Sequence, residues 1–254
     1  MFNPTRRNRN IGTENQGFGQ NNKLKISTPY GTLLSFYERI EKYTKEIRII
    51  NNHEFLFVIE ETRENSMHAC SVNDLANIIE HIPSEDYGDL KFIILRQPKR
   101  KEELISSVWG RLIYSYEFEN EYFPAIILDT IDLSKKVIWS RKQSIEDQKE
   151  FERLKQDGHI FNENKREFIA DIKPDPSRNT QLYRTLLHEF GHYVHYLELV
   201  ERPGNEEEED ELKEARNNFY FRLPKVEKEK FAHQYADALK AKLIQEKIIP
   251  LKSL

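Results

Sequence analysis

Cysteine is nearly absent. A single thiol, Cys70, occurs in 254 residues, so no internal disulfide can form. Stability must come from a packed core. A lone cysteine reads as an apolar core side chain and fits a reducing compartment. Long apolar runs are missing too: no stretch approaches the roughly 18 residues of a membrane span. Met1-Phe2-Asn3-Pro4 leads into Arg6, Arg7 and Arg9 with no apolar run after them, unlike a secretory signal. The expectation is a soluble, cytoplasmic protein, with export by another route left open. Basic charge is not in excess either. The 39 Lys and Arg residues face 43 Asp and Glu residues, a formal net charge of -4. A nucleic-acid binder usually carries a strong basic patch, so neither a nucleic-acid nor a membrane partner is expected. No internal repeat is visible.

The composition is that of a globular protein with a heavily solvated surface: 38% apolar, 11% aromatic and 32% charged. Residues 1–25, rich in Asn, Gly and Arg, read as a flexible basic tail. Residues 26–254 read as one domain, with accessory elements at 26–70. The tail and the six consecutive acids Glu206–Glu211 are surfaces that a protein partner could use; as solvated chain they need no partner.

Hydrophobic spacing divides the chain further. Leu33, Phe36, Tyr37, Ile40 and Tyr43 predict a helix. Ile47–Ile50 and Phe55–Ile59 predict strands around an Asn51-Asn52 turn. Ser71, with Asp74 three residues on, predicts a capped helix through Leu75, Ile78 and Ile79. Phe92–Leu95, Leu112–Tyr116, Ala125–Leu128, Val137–Trp139 and Phe168–Ile172 read as strands. Ile145, Phe151 and Leu154 mark a surface helix ended by Asp157-Gly158. Pro174 and Pro176 are expected to break the chain, and Asn179 or Thr180 to cap a helix over 181–199. The acid run should open another helix, since acids favour the positive end of the helix dipole. A last helix should span 226–247. The order implies an α+β fold: sheet first, a central helix, then a helical end, with a cleft at the seam.

The central helix carries His188-Glu189-Phe190-Gly191-His192. Four residues on a helix are about 40° of offset and about 6 Å of rise, so both imidazoles leave one face. Two such rings can hold one Zn2+. Glu189 lies about 100° around from His188 and can face a water on the same ion, as a general base must. Gly191 costs about 1 kcal/mol relative to Ala in a helix. Its missing side chain allows close approach by the sheet or another helix.

A catalytic zinc usually takes a third protein ligand and leaves a position for water. His195 lies about 10 Å along the axis from His188, too far to join both histidines on a straight helix. A supporting or substrate-side role suits it better. The last helix offers Glu227, Glu229 and His233, the latter two four residues apart on one face.

Glu229-Lys230-Phe231-Ala232-His233-Gln234-Tyr235-Ala236, together with the His188–His192 motif, resembles the gluzincins, and in particular the anthrax lethal-factor-like metallopeptidases. The resemblance covers residues 185–195 and 227–237. It implies a zincin-like fold, Zn2+ held by His188, His192 and Glu229, and Glu189 as base. Where the lethal-factor-like pattern has a second glutamate one turn after the ligand, this chain has His233. Tyr220 precedes the third-ligand helix, where related zincins often recruit a tyrosine as oxyanion donor. Tyr235, His195 and His233 are alternatives, and Arg178, Arg184 and Arg216 are candidates to bind a substrate carboxylate.

The implied function is zinc-dependent hydrolysis of a peptide or protein, with an edge strand presenting the substrate. Leu112–Tyr116 and Ala125–Leu128 are the candidate edges. The rival from another class is a non-enzymatic zinc-bound binding module on a zincin scaffold, for which Glu189 has little purpose.

Overall fold

The first hairpin turns on two asparagines. A computed structural model describes residues 39–100, 108–204 and 209–251. The tail at 1–25, Leu33, Phe36 and Tyr37 of the expected first helix, and Glu206–Glu208 lie outside the described residues. From Ile40 onward the chain forms one unit. Strands β1 (Tyr43–Ile50) and β2 (His53–Glu60) pair antiparallel around Asn51 and Asn52. The φ values of these two residues, 49° and 65°, suit asparagine in a two-residue hairpin turn. Tyr43 is therefore a strand residue, and residues 39–42 are not helical. Pairing with Glu60 and an edge contact to the Phe118 ring at 5.4 Å override the helical spacing read there.

A short β3 (Ser66–Met67) pairs with a later strand, β7 (Ile131–Asp132). Helix α1 (Val72–Ile79) has the expected capping box: Asp74 N–H donates to Ser71 Oγ at 3.1 Å, and Ser71 N–H to Asp74 Oδ2 at 3.0 Å. Strand β4 (Phe92–Arg96) lies parallel to β2, β6 (Glu121–Asp129) parallel to β4, and β5 (Gly110–Phe118) antiparallel to β6. The order β1-β2-β4-β6-β5 leaves β1 and β5 as edges. The Ala125–Leu128 stretch is interior, because β6 is paired on both sides; of the two candidate edges only Leu112–Tyr116 is one. All five β4 residues are buried, as a central parallel strand requires.

A second sheet joins β8 (Lys136–Ser140), β9 (Asn162–Glu163) and β10 (Glu167–Asp171), with β10 in the middle. Helix α2 (Ile145–Gln156) ends at Asp157, followed by Gly158 at φ 102°.

Pro174 and Pro176 do not break the chain. They sit in the first turn of α3 (Pro174–Thr180), where a missing N–H removes no helical bond. Neither Asn179 nor Thr180 starts a new helix. The chain stays helical through a π turn at Gln181–Thr185, α4 (Leu186–Tyr196) and a second π turn at Leu197–Glu201. Thr180 Oγ1 and the Asn179 side-chain amide instead donate to Asp157, at 2.9 and 3.1 Å. Helices α5 (Asp210–Arg222) and α6 (Lys225–Gln245) follow, with Pro224 at the N-cap of α6. Among the described residues no helix is long and apolar enough to cross a membrane.

The core lies between one sheet face and the helices. Phe55, Phe57, Ile93, Leu95, Ile126 and Leu128 meet Leu75 and Ile78 of α1, Leu186, Leu187, Phe190 and Tyr193 of α4, and Leu239 and Leu243 of α6. Each large apolar side chain so buried contributes about 1.5–3 kcal/mol. The four from α4 therefore outweigh the roughly 1 kcal/mol that Gly191 costs. Cys70 is buried in the same cluster.

Candidate metal centre

Gly191 brings two helices together. A methyl group there would lie 2.8 Å from both Cα and the carbonyl oxygen of Ala232, so α4 and α6 cross in backbone contact. His188 and His192 flank Gly191 on α4, and Glu229 stands three residues before Ala232 on α6. The crossing therefore sets the three side chains face to face. The Nε2 atoms of His188 and His192 are 3.1 Å apart. Glu229 Oε2 lies 3.2 Å from the first and 3.8 Å from the second.

These separations can be tested against a metal. Ligand atoms about 2.1 Å from one tetrahedral ion lie about 3.4 Å from each other. The observed spacings bracket that value, and two imidazoles with a carboxylate are a donor set zinc accepts. His188, His192 and Glu229 form a metal-ligand cluster consistent with a zinc site of the zincin-like kind, and its residues fit the ion. Hydrogen bonds from His188 and His192 hold the Glu229 carboxyl far below the ordinary carboxylate range against the opposing effect of burial. The Nδ1 of His188 is buried with no hydrogen-bond partner among the described residues. Packing orients this ring instead: the His233 ring lies 4.4 Å away.

Glu189 is 8% exposed and faces the sheet edge. The backbone N–H of Leu112 in β5 donates to its carboxylate. Burial raises its pKa, while His188, His192 and the Leu112 N–H pull the other way. A carboxylate shifted upward in this manner is a better proton acceptor near neutral pH.

The other sequence candidates fall around this centre. Glu227 is exposed and outside the cluster. His233 lies beside His188 and accepts from Arg153 Nη1 at 3.4 Å; burial, then the nearby His188 and Arg153, lower its pKa to about 4. His195 stacks on Phe231 at 4.3 Å and meets the Tyr220 ring edge-on at 5.4 Å. Tyr220 is fully buried, and its hydroxyl donates to the His192 carbonyl at 3.2 Å. Tyr235 donates to Asp86 at 2.8 Å.

The three arginines considered for substrate binding are engaged elsewhere. Arg178 forks onto Asp74 at 2.6 and 3.1 Å. Arg184 binds Asp157 at 2.9 Å and also pairs with Glu150. Arg216 donates to the Val200 carbonyl at 2.8 Å. Their partners lie 16 to 104 residues away in sequence, beyond any local pattern.

Sequence reasoning missed Tyr114 and the Leu112 amide, both on β5, and Arg153 on α2. The signal for the β5 pair was Pro124, a proline inside a strand-like run, which marks an edge or an irregular ladder. Arg153 carried none. No protein-family model, curated protein or solved structure matches this chain.

Proposed function

We propose that this chain is a zinc-dependent peptidase acting on an extended segment of a peptide or protein, within the chain rather than at its ends. The observation that carries the reading is the convergence of His188, His192 and Glu229, with Glu189 turned between them and the edge strand β5. His188, His192 and Glu229 would hold Zn2+, which supplies Lewis acidity when bound. The substrate backbone lies along the part of the β5 edge beyond the Leu112–Glu189 contact, a mode of presentation that needs no particular side chain. Glu189 accepts a proton from the attacking water as the carbon–oxygen bond forms. It returns that proton to the amine as the carbon–nitrogen bond breaks.

The test is zinc content and cleavage of an unbiased peptide library, measured on the native chain and on Glu189→Gln. We expect both proteins to retain zinc and only the variant to lose cleavage. Zinc in both with cleavage in neither would favour a binding module. Glu229→Ala should weaken zinc binding by more than about 100-fold, beyond the range for residues that merely support a ligand. Unchanged affinity would remove Glu229 from the ligand set.

A further inference from the structure

Strand β5 is irregular beside the metal centre. Its pairing with β6 runs evenly from Gly110 opposite Leu128 to Ile113 opposite Ala125, then resumes with Tyr116 opposite Phe123. Tyr114 and Ser115 therefore share one opposing residue, Pro124. Proline has no N–H to give the ladder, and a bulge is where a paired strand tolerates it. Bulges also re-aim side chains. Here Ser115 faces solvent while the Tyr114 ring turns into an aromatic group, 5.0 Å from Tyr196, 5.3 Å from Phe221 and 5.7 Å from Tyr220.

The hydroxyls of Tyr114 and Tyr220 are 2.6 Å apart, and Tyr220 donates to the His192 carbonyl at 3.2 Å. A phenol has one proton. That of Tyr220 goes to the carbonyl, so in the close pair Tyr114 must be the donor. A helix carbonyl has a second lone pair beyond its bond along the helix, which leaves room for this contact. The result is a directed chain from the edge strand, through two phenols, to the backbone of a metal-ligand residue.

We propose that Tyr114 is a positioning residue for the metal centre, holding the His192 turn at a fixed distance from the edge strand through Tyr220. The inference rests on the metal reading above and extends it to the strand on which a substrate would lie. Tyr114 touches neither the ion nor its ligand atoms; it acts through Tyr220.

The experiment loads the protein with Co2+ and follows release into excess EDTA, well below the thermal midpoint. Native protein, Tyr114→Phe, Tyr220→Phe and the double variant are compared, with the thermal midpoint of each measured in parallel. Residues that directly support a metal ligand alter affinity by about 10- to 100-fold, so one step further away we expect Tyr114→Phe to speed release by about 3- to 10-fold. Tyr220→Phe should do at least as much, and the double variant no more than Tyr220→Phe alone, since both changes cut one chain. A purely structural Tyr114 would move the thermal midpoint and leave release unchanged. Release from Tyr114→Phe at the native rate overturns the proposal. So does a double variant whose effect is the product of the two single effects. A native protein that takes up no Co2+ removes the metal reading itself, a result distinct from normal uptake with unaltered release.

Discussion

The two edges of the sheet face one problem and resolve it differently. Each strand has backbone groups that another strand could pair with. β1 is regular over eight pairs and exposes Ile47 and Ile49, at 60% and 74%. Charge blunts it: Lys45 pairs with Glu119 at 2.8 Å, and Arg48 bonds to Asn73 at 2.9 Å. β5 is irregular, and the protein itself uses part of its edge. Glu189 takes the Leu112 N–H, and the Thr185 side chain crowds Gly110 so closely that a methyl there would lie 2.8 Å from it. An edge closed by charge needs no geometry. The edge beside the candidate site is held by α4, its crossing with α6 and the Pro124 bulge.

If that contrast is right, the largest effect should come from separating the helices behind β5. Gly191→Ala forces a methyl against the Ala232 backbone, and overpacking of this kind costs about 1–3 kcal/mol. Urea unfolding should register that loss, and chelator competition should register weaker zinc binding in the folded protein. Native affinity in this variant would show that the crossing does not set the ligand geometry.

A smaller effect is expected from making β5 resemble β1. Pro124→Ala restores an N–H opposite the bulge. It should lower stability by about 0.4–1 kcal/mol, because the unfolded chain gains freedom. Co2+ release should accelerate about as much as in Tyr114→Phe, since the bulge aims that ring. Stability loss without faster release would separate the bulge from the metal centre. The smallest effect belongs to β1 itself. Ile47→Thr replaces an exposed side chain with another β-branched one, and stability should stay within about 0.5 kcal/mol. Zinc affinity should not move; a shift would mean that the quiet edge communicates with the site after all.

Much of this arrangement was legible in the sequence wherever the cause is local. The Asn51-Asn52 turn, the Ser71–Asp74 capping box and the spacing of His188 and His192 each depend on residues a few positions apart. Gly191 was legible as a close approach, though only the fold identified Ala232 as the neighbour. The meeting of Glu229 with the two histidines followed from a resemblance, since nothing in spacing joins residues on different helices. The failures share a physical origin. Pro174 signals a break or a helix start equally well, and the continuous helix behind it decides for the start. Tyr43 fits a helical stripe until β2 supplies a partner. Tyr114, Tyr220 and the arginines owe their roles to contacts that only folding creates.

The helix from Pro174 to Glu201 carries a π turn on each side of its α4 segment. A π turn accommodates one residue more than an α turn, which is about 100° of rotation about the axis. The segment Gln181–Thr185 thus acts as a phase setting. It aligns Arg178 with Asp74 and Thr180 with Asp157 while His188 faces α6. Deleting one residue between 181 and 185 would let the wide turn close to an α turn with both anchors still near phase with His188; deleting two would swing them about 100° out. Every residue of the motif would survive the double deletion, and its alignment with the rest of the molecule would not.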